Sequence, residues 1–150
     1  MGEFIIGRNE HLVASLPIGK LNDLSNRVKV LEDSPASGGI NEDSFGIVVD
    51  GAGTAITTGS KGSKYIPWDC TVTGWDIRSD VSGSCVFDVK RSGTSLAGSE
   101  KQTLSGASSN QDLALSTWTT SLSAGDVVEF VVDSASTVTR ATVTILVSKI

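Results

Sequence analysis

Two kinds of hydrophobic spacing divide the chain. Near its start, Leu21, Leu24, Val28 and Leu31 recur at intervals of three, four and three, the a and d positions of a heptad seam. Asn22, Asp23, Ser25, Asn26, Arg27 and Lys29 fill the other faces. Pro17 and Gly19 mark the start of the predicted helix and Ser34-Pro35 its end, giving about four turns. A lone helix of this length is marginal in water because nucleation costs nearly as much as elongation returns. Its apolar stripe therefore needs a partner, either the chain's own β domain or another copy. Self-association is the sharper expectation, since Ser34-Pro35-Ala36-Ser37-Gly38-Gly39 reads as a flexible tether suited to a projecting arm.

Beyond that tether the period changes to two. Thr71, Thr73, Trp75 and Ile77 fall on one face of a predicted strand, and Cys85, Phe87 and Val89 alternate with Val86, Asp88 and Lys90. Val128, Phe130 and Val132 alternate with Glu129, Val131 and Asp133, while Ala141, Val143, Ile145 and Val147 oppose Arg140, Thr142, Thr144 and Leu146. Turn residues stand between these runs at Asp50-Gly51-Ala52-Gly53, Ser82-Gly83, Ser92-Gly93 and Ala124-Gly125-Asp126, where glycine relieves strain at positive φ. One apolar and one polar face per strand predicts two stacked antiparallel sheets. The expected fold is thus all-β, a jelly-roll-like antiparallel β-sandwich over residues 45–150. It is preceded by a linker at 34–44 and a short N-terminal α-helical coiled-coil arm at 1–33.

Composition narrows the partners. A net charge of -5 with only 12 Lys and Arg argues against nucleic acid, whose binding needs a basic surface to displace counterions. No apolar run reaches the ~20 residues that span a bilayer, and the first residues do not read as a secretory signal. Cytoplasmic synthesis without membrane insertion is expected. Cys70 and Cys85 are the only cysteines. Buried free thiols are the preferred reading, with a disulfide between neighbouring strands as the alternative.

The chemistry-bearing residues do not assemble into a catalytic pattern. The single histidine, His11, lies in the arm, apart from any serine or cysteine nucleophile of the β domain. Two separated thiols and a distant imidazole do not make the close ligand pairs of a zinc site. Gly59-Ser60-Lys61-Gly62-Ser63-Lys64 lacks the loop spacing of a phosphate-binding P-loop and reads as a solvated turn. Asp76, Asp88, Asp126 and Asp133 border strands at spacings that support neither a glycosidase pair nor a calcium loop, and solvent-facing carboxylates are expected. No enzyme activity, cofactor or metal is therefore predicted. Among the aromatic residues, Trp75 fits the core, whereas Tyr65, Trp68 and Trp118 are placed near strand ends, where rings can stack on a sugar.

The run from Trp118 to Val128 (WTTSLSAGDVV), continued by Val132 to Arg140 (VDSASTVTR), resembles a β-sandwich module of bacteriophage virion appendage proteins. So does the stretch from Gly51 to Gly59 (GAGTAITTG) leading into Tyr65 to Trp75 (YIPWDCTVTGW). The resemblance covers residues from Phe45 to Ile150 and rests on residues that shape turns and strands. It implies a tail-fibre, head-fibre or capsid-decoration protein on the virion surface, made in the bacterial host cytoplasm. In such an assembly, trimeric in most fibrous appendages, the arm would dock on other virion proteins and the seam would join the copies. The alternative is a carbohydrate-binding module that recognises a cell-surface glycan through Tyr65, Trp68 and Trp118.

Overall fold

The computed structural model describes residues 41–150 and, before them, only the position of Gly19. The chain divides between Gly39 and Ile40, and the second unit is described by itself. Leu21, Leu24, Val28, Leu31 and His11 lie outside the described residues.

Eight strands make up the unit: β1 (Glu42–Asp50), β2 (Gly59–Tyr65), β3 (Cys70–Arg91), β4 (Thr94–Ser95), β5 (Gln102–Asp112), β6 (Ser121–Leu122), β7 (Val127–Ser136) and β8 (Arg140–Lys149). Every pairing is antiparallel, so the expected all-β class holds for the described residues. The first strand begins at Glu42, inside the stretch read as linker.

The 22-residue β3 organises the sheet. Cys70 to Ser79 pair with β8, which carries β1 on its far side. Ser84 to Arg91 pair with β7, which carries β2. Along its other edge β3 pairs with both ends of β5, Asp112 to Ser109 beside the first half and Ala107 to Gln102 beside the second. Two four-stranded portions result, ordered β1-β8-β3-β5 and β2-β7-β3-β5, each using a different half of β3 and β5. The ring of Phe45 on β1 meets that of Phe130 on β7 edge-on at 6.3 Å and 77°, so the inner faces of the two portions share one core.

That core follows the alternation. Ala141, Val143, Ile145 and Val147 of β8, and Val128, Phe130 and Val132 of β7, are buried together with Cys85, Phe87 and Val89 of β3. Burying each of the Val, Ile and Phe side chains contributes about 1.5–3 kcal/mol.

Two glycines allow β3 to depart from a regular strand. Thr71 and Thr73 were expected on the face of Trp75 and Ile77, but Cys70 and Val72 are buried instead, and the phase changes at a register shift between Val72 and Gly74. The extra residue of a bulge inverts which side chains face inward. A Cβ at Gly74 would come within 2.6 Å of Leu113 Cδ2 and 2.7 Å of the Asp112 carbonyl. Ser82-Gly83, read as a turn, lies inside β3. A Cβ at Gly83 would meet Val138 Cγ2 at 2.7 Å and the Ser136 carbonyl at 2.8 Å, so glycine lets the strand pass close to the β7–β8 turn. A true two-residue hairpin turn does occur at Ser92-Gly93, both at positive φ (50° and 80°), the geometry that matches strand twist.

Candidate functional site

The outward residues of the two portions differ in chemistry. On the β2-β7-β3-β5 side, charges are concentrated and mutually bonded. The Lys101 ammonium lies 2.5 Å from Asp133 and 3.2 Å from Asp88, and Ser95 donates its hydroxyl to Asp88 at 2.6 Å. The Asp88 carboxylate is 1% exposed, which corrects the expectation of a solvent-facing aspartate. A buried carboxylate is tolerated because the ammonium and hydroxyl replace its hydration. Asp126 accepts the Ser123 amide at 2.9 Å and the Arg91 guanidinium at 2.8 Å. The Ser123 amide is the main cause, and Arg91 the second, that holds its carboxyl below the usual range. On the other side of the fold, Asp76 pairs with Arg78 on its own strand at 2.9 Å, next to Thr144 and Thr142 of β8. All four aspartates thus serve the sheet and its turns.

On the β1-β8-β3-β5 side, β1 and β8 carry an uncharged centre bordered by the Asp76–Arg78 pair of β3 and by Asp50 and Arg140. Ser44, Gly46 and Val48 of β1 stand opposite Leu146, Thr144 and Thr142 of β8, and Leu146 in turn neighbours Gly74. Val48 is 55% exposed and Leu113, beside Gly74, is 61% exposed. Two troughs flank this centre, and a further one, about 260 Å³, lies among Arg78, Asp80, Arg140 and Thr142. The first, about 530 Å³, runs along Ser44 to Val48 and is walled by Lys61 and Lys64 of β2. The second, about 370 Å³, is lined by Leu113, Leu146 and Thr73 with Glu42 and Asp43 at its rim. Asp43 is held below the usual carboxylate range, chiefly by its bond to the Lys149 ammonium 2.7 Å away and next by the Ser44 amide. Among the described residues, Lys61, Lys64 and Glu42 form no ion pair.

The three aromatic residues proposed for sugar contact have separate environments. Tyr65 is 66% exposed at the end of β2. Trp68 is partly buried, with the Lys149 ammonium 4.1 Å from its ring centroid, a cation–π contact. Trp118 is only 8% exposed and donates its indole N–H to the Glu100 carbonyl at 3.0 Å. Its ring packs in the core, leaving little face for a sugar. Glu100 also accepts the amides of Ser116 and Thr117, both at 2.8 Å, and the Ser116 hydroxyl. These bonds, led by the Ser116 hydroxyl, lower its carboxyl to about 2 and staple the segment before β5 to the segment before β6.

Cys70 and Cys85 are both free and buried, and burial is the main cause that pushes both thiols up. Among the described residues no cluster of three or more His, Cys, Asp or Glu side chains is placed to hold a metal. The Gly59-to-Lys64 run, read as a turn, forms β2, with a register shift between Ser60 and Gly62. Nothing in the sequence reading singled out the uncharged centre of this face. Its signal was present in the alternation of Thr142, Thr144 and Leu146, the uncharged stretch of an outward row that begins at Arg140. No protein-family model, curated protein or solved structure matches the chain.

Proposed function

We propose that the chain is a non-enzymatic structural protein of a bacteriophage virion, an oligomer, with a trimer favoured, that displays a β-sandwich tip on a helical arm. The observation that carries this reading is the strand order. With β3 and β5 each counted as two strands, β1-β8-β3-β5 and β2-β7-β3-β5 have the ordering of a jelly roll, two four-stranded layers closed over one core. A fold alone does not assign a function, and the resemblance of the sequence to phage appendage modules supplies the second support. A heptad seam, a Gly-Gly tether and a compact tip are the parts needed to present one module in several copies. Display in several copies raises avidity even where each contact is weak. In this reading the arm contacts other virion proteins, the protein is made in the bacterial cytoplasm, and its destination is the virion surface.

Labelling of intact virions with antibody against residues 45–150 tests this. Decoration of tail or head supports the reading and identifies which appendage carries the protein, whereas purified particles that contain no copy of the chain overturn it. The exposure of Tyr65 favours a second reading, host-glycan recognition by the tip. A glycan array probes it, with binding that is lost in Tyr65→Ala as the expected result and no binding to any sugar as the refutation.

A further inference from the structure

We propose that the outer face of β1 and β8, with its uncharged centre, is a contact surface for a second copy of this chain, with the Lys61 and Lys64 trough of one copy facing the Glu42 rim of the next. The inference deepens the oligomeric reading above and rests on it. Three observations support it. First, the centre of this face is made of Ser44, Gly46, Val48, Thr142, Thr144 and Leu146, with the Asp76–Arg78 and Asp50–Arg140 pairs at its border, and an uncharged core within a charged rim is the pattern of protein interfaces. The opposite side of the fold, with Asp88, Lys101 and Asp133, lacks that character.

Second, the large apolar side chains on this side, Val48 at 55% and Leu113 at 61%, stand in different troughs, so both would be covered by one continuous contact. Third, the charges at the two troughs are opposite in sign. Lys61 and Lys64 wall one and Glu42 borders the other, and none of the three has an ion-pair partner among the described residues. A surface that carries both signs at separate places is complementary to itself when the second copy is rotated. Complementary charge of this kind fixes register and disfavours other partners. An arm that gathers copies raises the local concentration at which even a modest face would close.

The test uses the full chain and sedimentation equilibrium, with circular dichroism melting to verify that each variant is folded. Val48→Arg, and separately Lys61→Glu with Lys64→Glu, should weaken self-association by tenfold or more. Adding Glu42→Lys to the double lysine reversal should restore it, because both signs are then exchanged; a folding defect would not be rescued in this way. If the chain remains oligomeric and neither Val48→Arg nor the lysine reversal alters the association constant, while Leu24→Asp with Leu31→Asp dissociates it, this proposal is wrong and the arm-based reading stands. A wild-type chain that sediments as a monomer overturns both.

Discussion

Gln102 presents the sharpest energetic test. It sits on β5 opposite Phe87, faces the core, and is fully buried. Neither its Nε2 nor its Oε1 has a hydrogen-bond partner. Each such buried polar group costs about 1–3 kcal/mol because it loses water without a replacement. Methionine has nearly the same length and lacks both polar atoms, so Gln102→Met removes the penalty without opening a cavity. Some of that gain is offset by repacking, which for near-isosteric changes costs less than about 1.5 kcal/mol. The expected result is stabilisation by about 1–2 kcal/mol, or a rise in Tm of roughly 4–8 °C for a body of this size. Urea unfolding followed by tryptophan fluorescence measures it, at one fixed protein concentration because association would shift the midpoint. A variant that is less stable than the wild type by 1 kcal/mol or more, with an unchanged m-value, would refute the reasoning and show that the amide is hydrogen-bonded in solution.

Three further outcomes follow from packing and charge. Phe130→Ala should cost about 3–5 kcal/mol, since the ring is fully buried and packs edge-on with Phe45; denaturant unfolding reads this directly. Gly74→Val should destabilise by at least about 1–3 kcal/mol, because the new atoms meet the Asp112 carbonyl and Leu113, and a neutral result would mean that the bulge can relax. Glu100 has a folded pKa of about 2, below its ordinary 4.5. A depressed acid stabilises above its unfolded pKa, and that contribution is lost as pH falls through the folded value. Glu100→Gln should therefore lower Tm at neutral pH, and the gap to wild type should narrow between about pH 4.5 and pH 2. A gap of the same size across that window would exclude the carboxylate's charge as its cause.

The legible parts of this fold were those in which side-chain period and burial agree. Strands β7 and β8 and the Cys85-to-Val89 stretch show strict apolar alternation, and their inner faces are the ones expected. Strands β2 and β5 were missed because their composition is that of a loop: Gly59 to Lys64 is glycine, serine and lysine, and Ser105 to Gln111 has no large apolar residue. Both are held by backbone pairing with stronger neighbours, β7 and β3, a stabilisation that leaves no side-chain signature. The face of Thr71 and Thr73 was misassigned because one bulge at Gly74 changes the phase without changing composition. Asp88 was read as exposed because its partner Lys101 is distant in sequence and its burial depends on a hairpin closing above it. Of the proposed sugar-contact residues, the exposure of Tyr65 fits its place at a strand end. Trp118 carries the same polar sequence surroundings yet is drawn inward by the Glu100 carbonyl.

Because one uninterrupted segment from Cys70 to Arg91 pairs with both β8 and β7, neither portion is a separable fragment. Cutting the backbone near Ser82 would abolish cooperativity in the whole body at once, so proteolysis should show intact chain or small peptides without a lasting half-molecule. The exposed Ala52-Gly53 bend, by contrast, lies between β1 and β2 outside every strand, which makes it a tolerant place to graft a peptide for display.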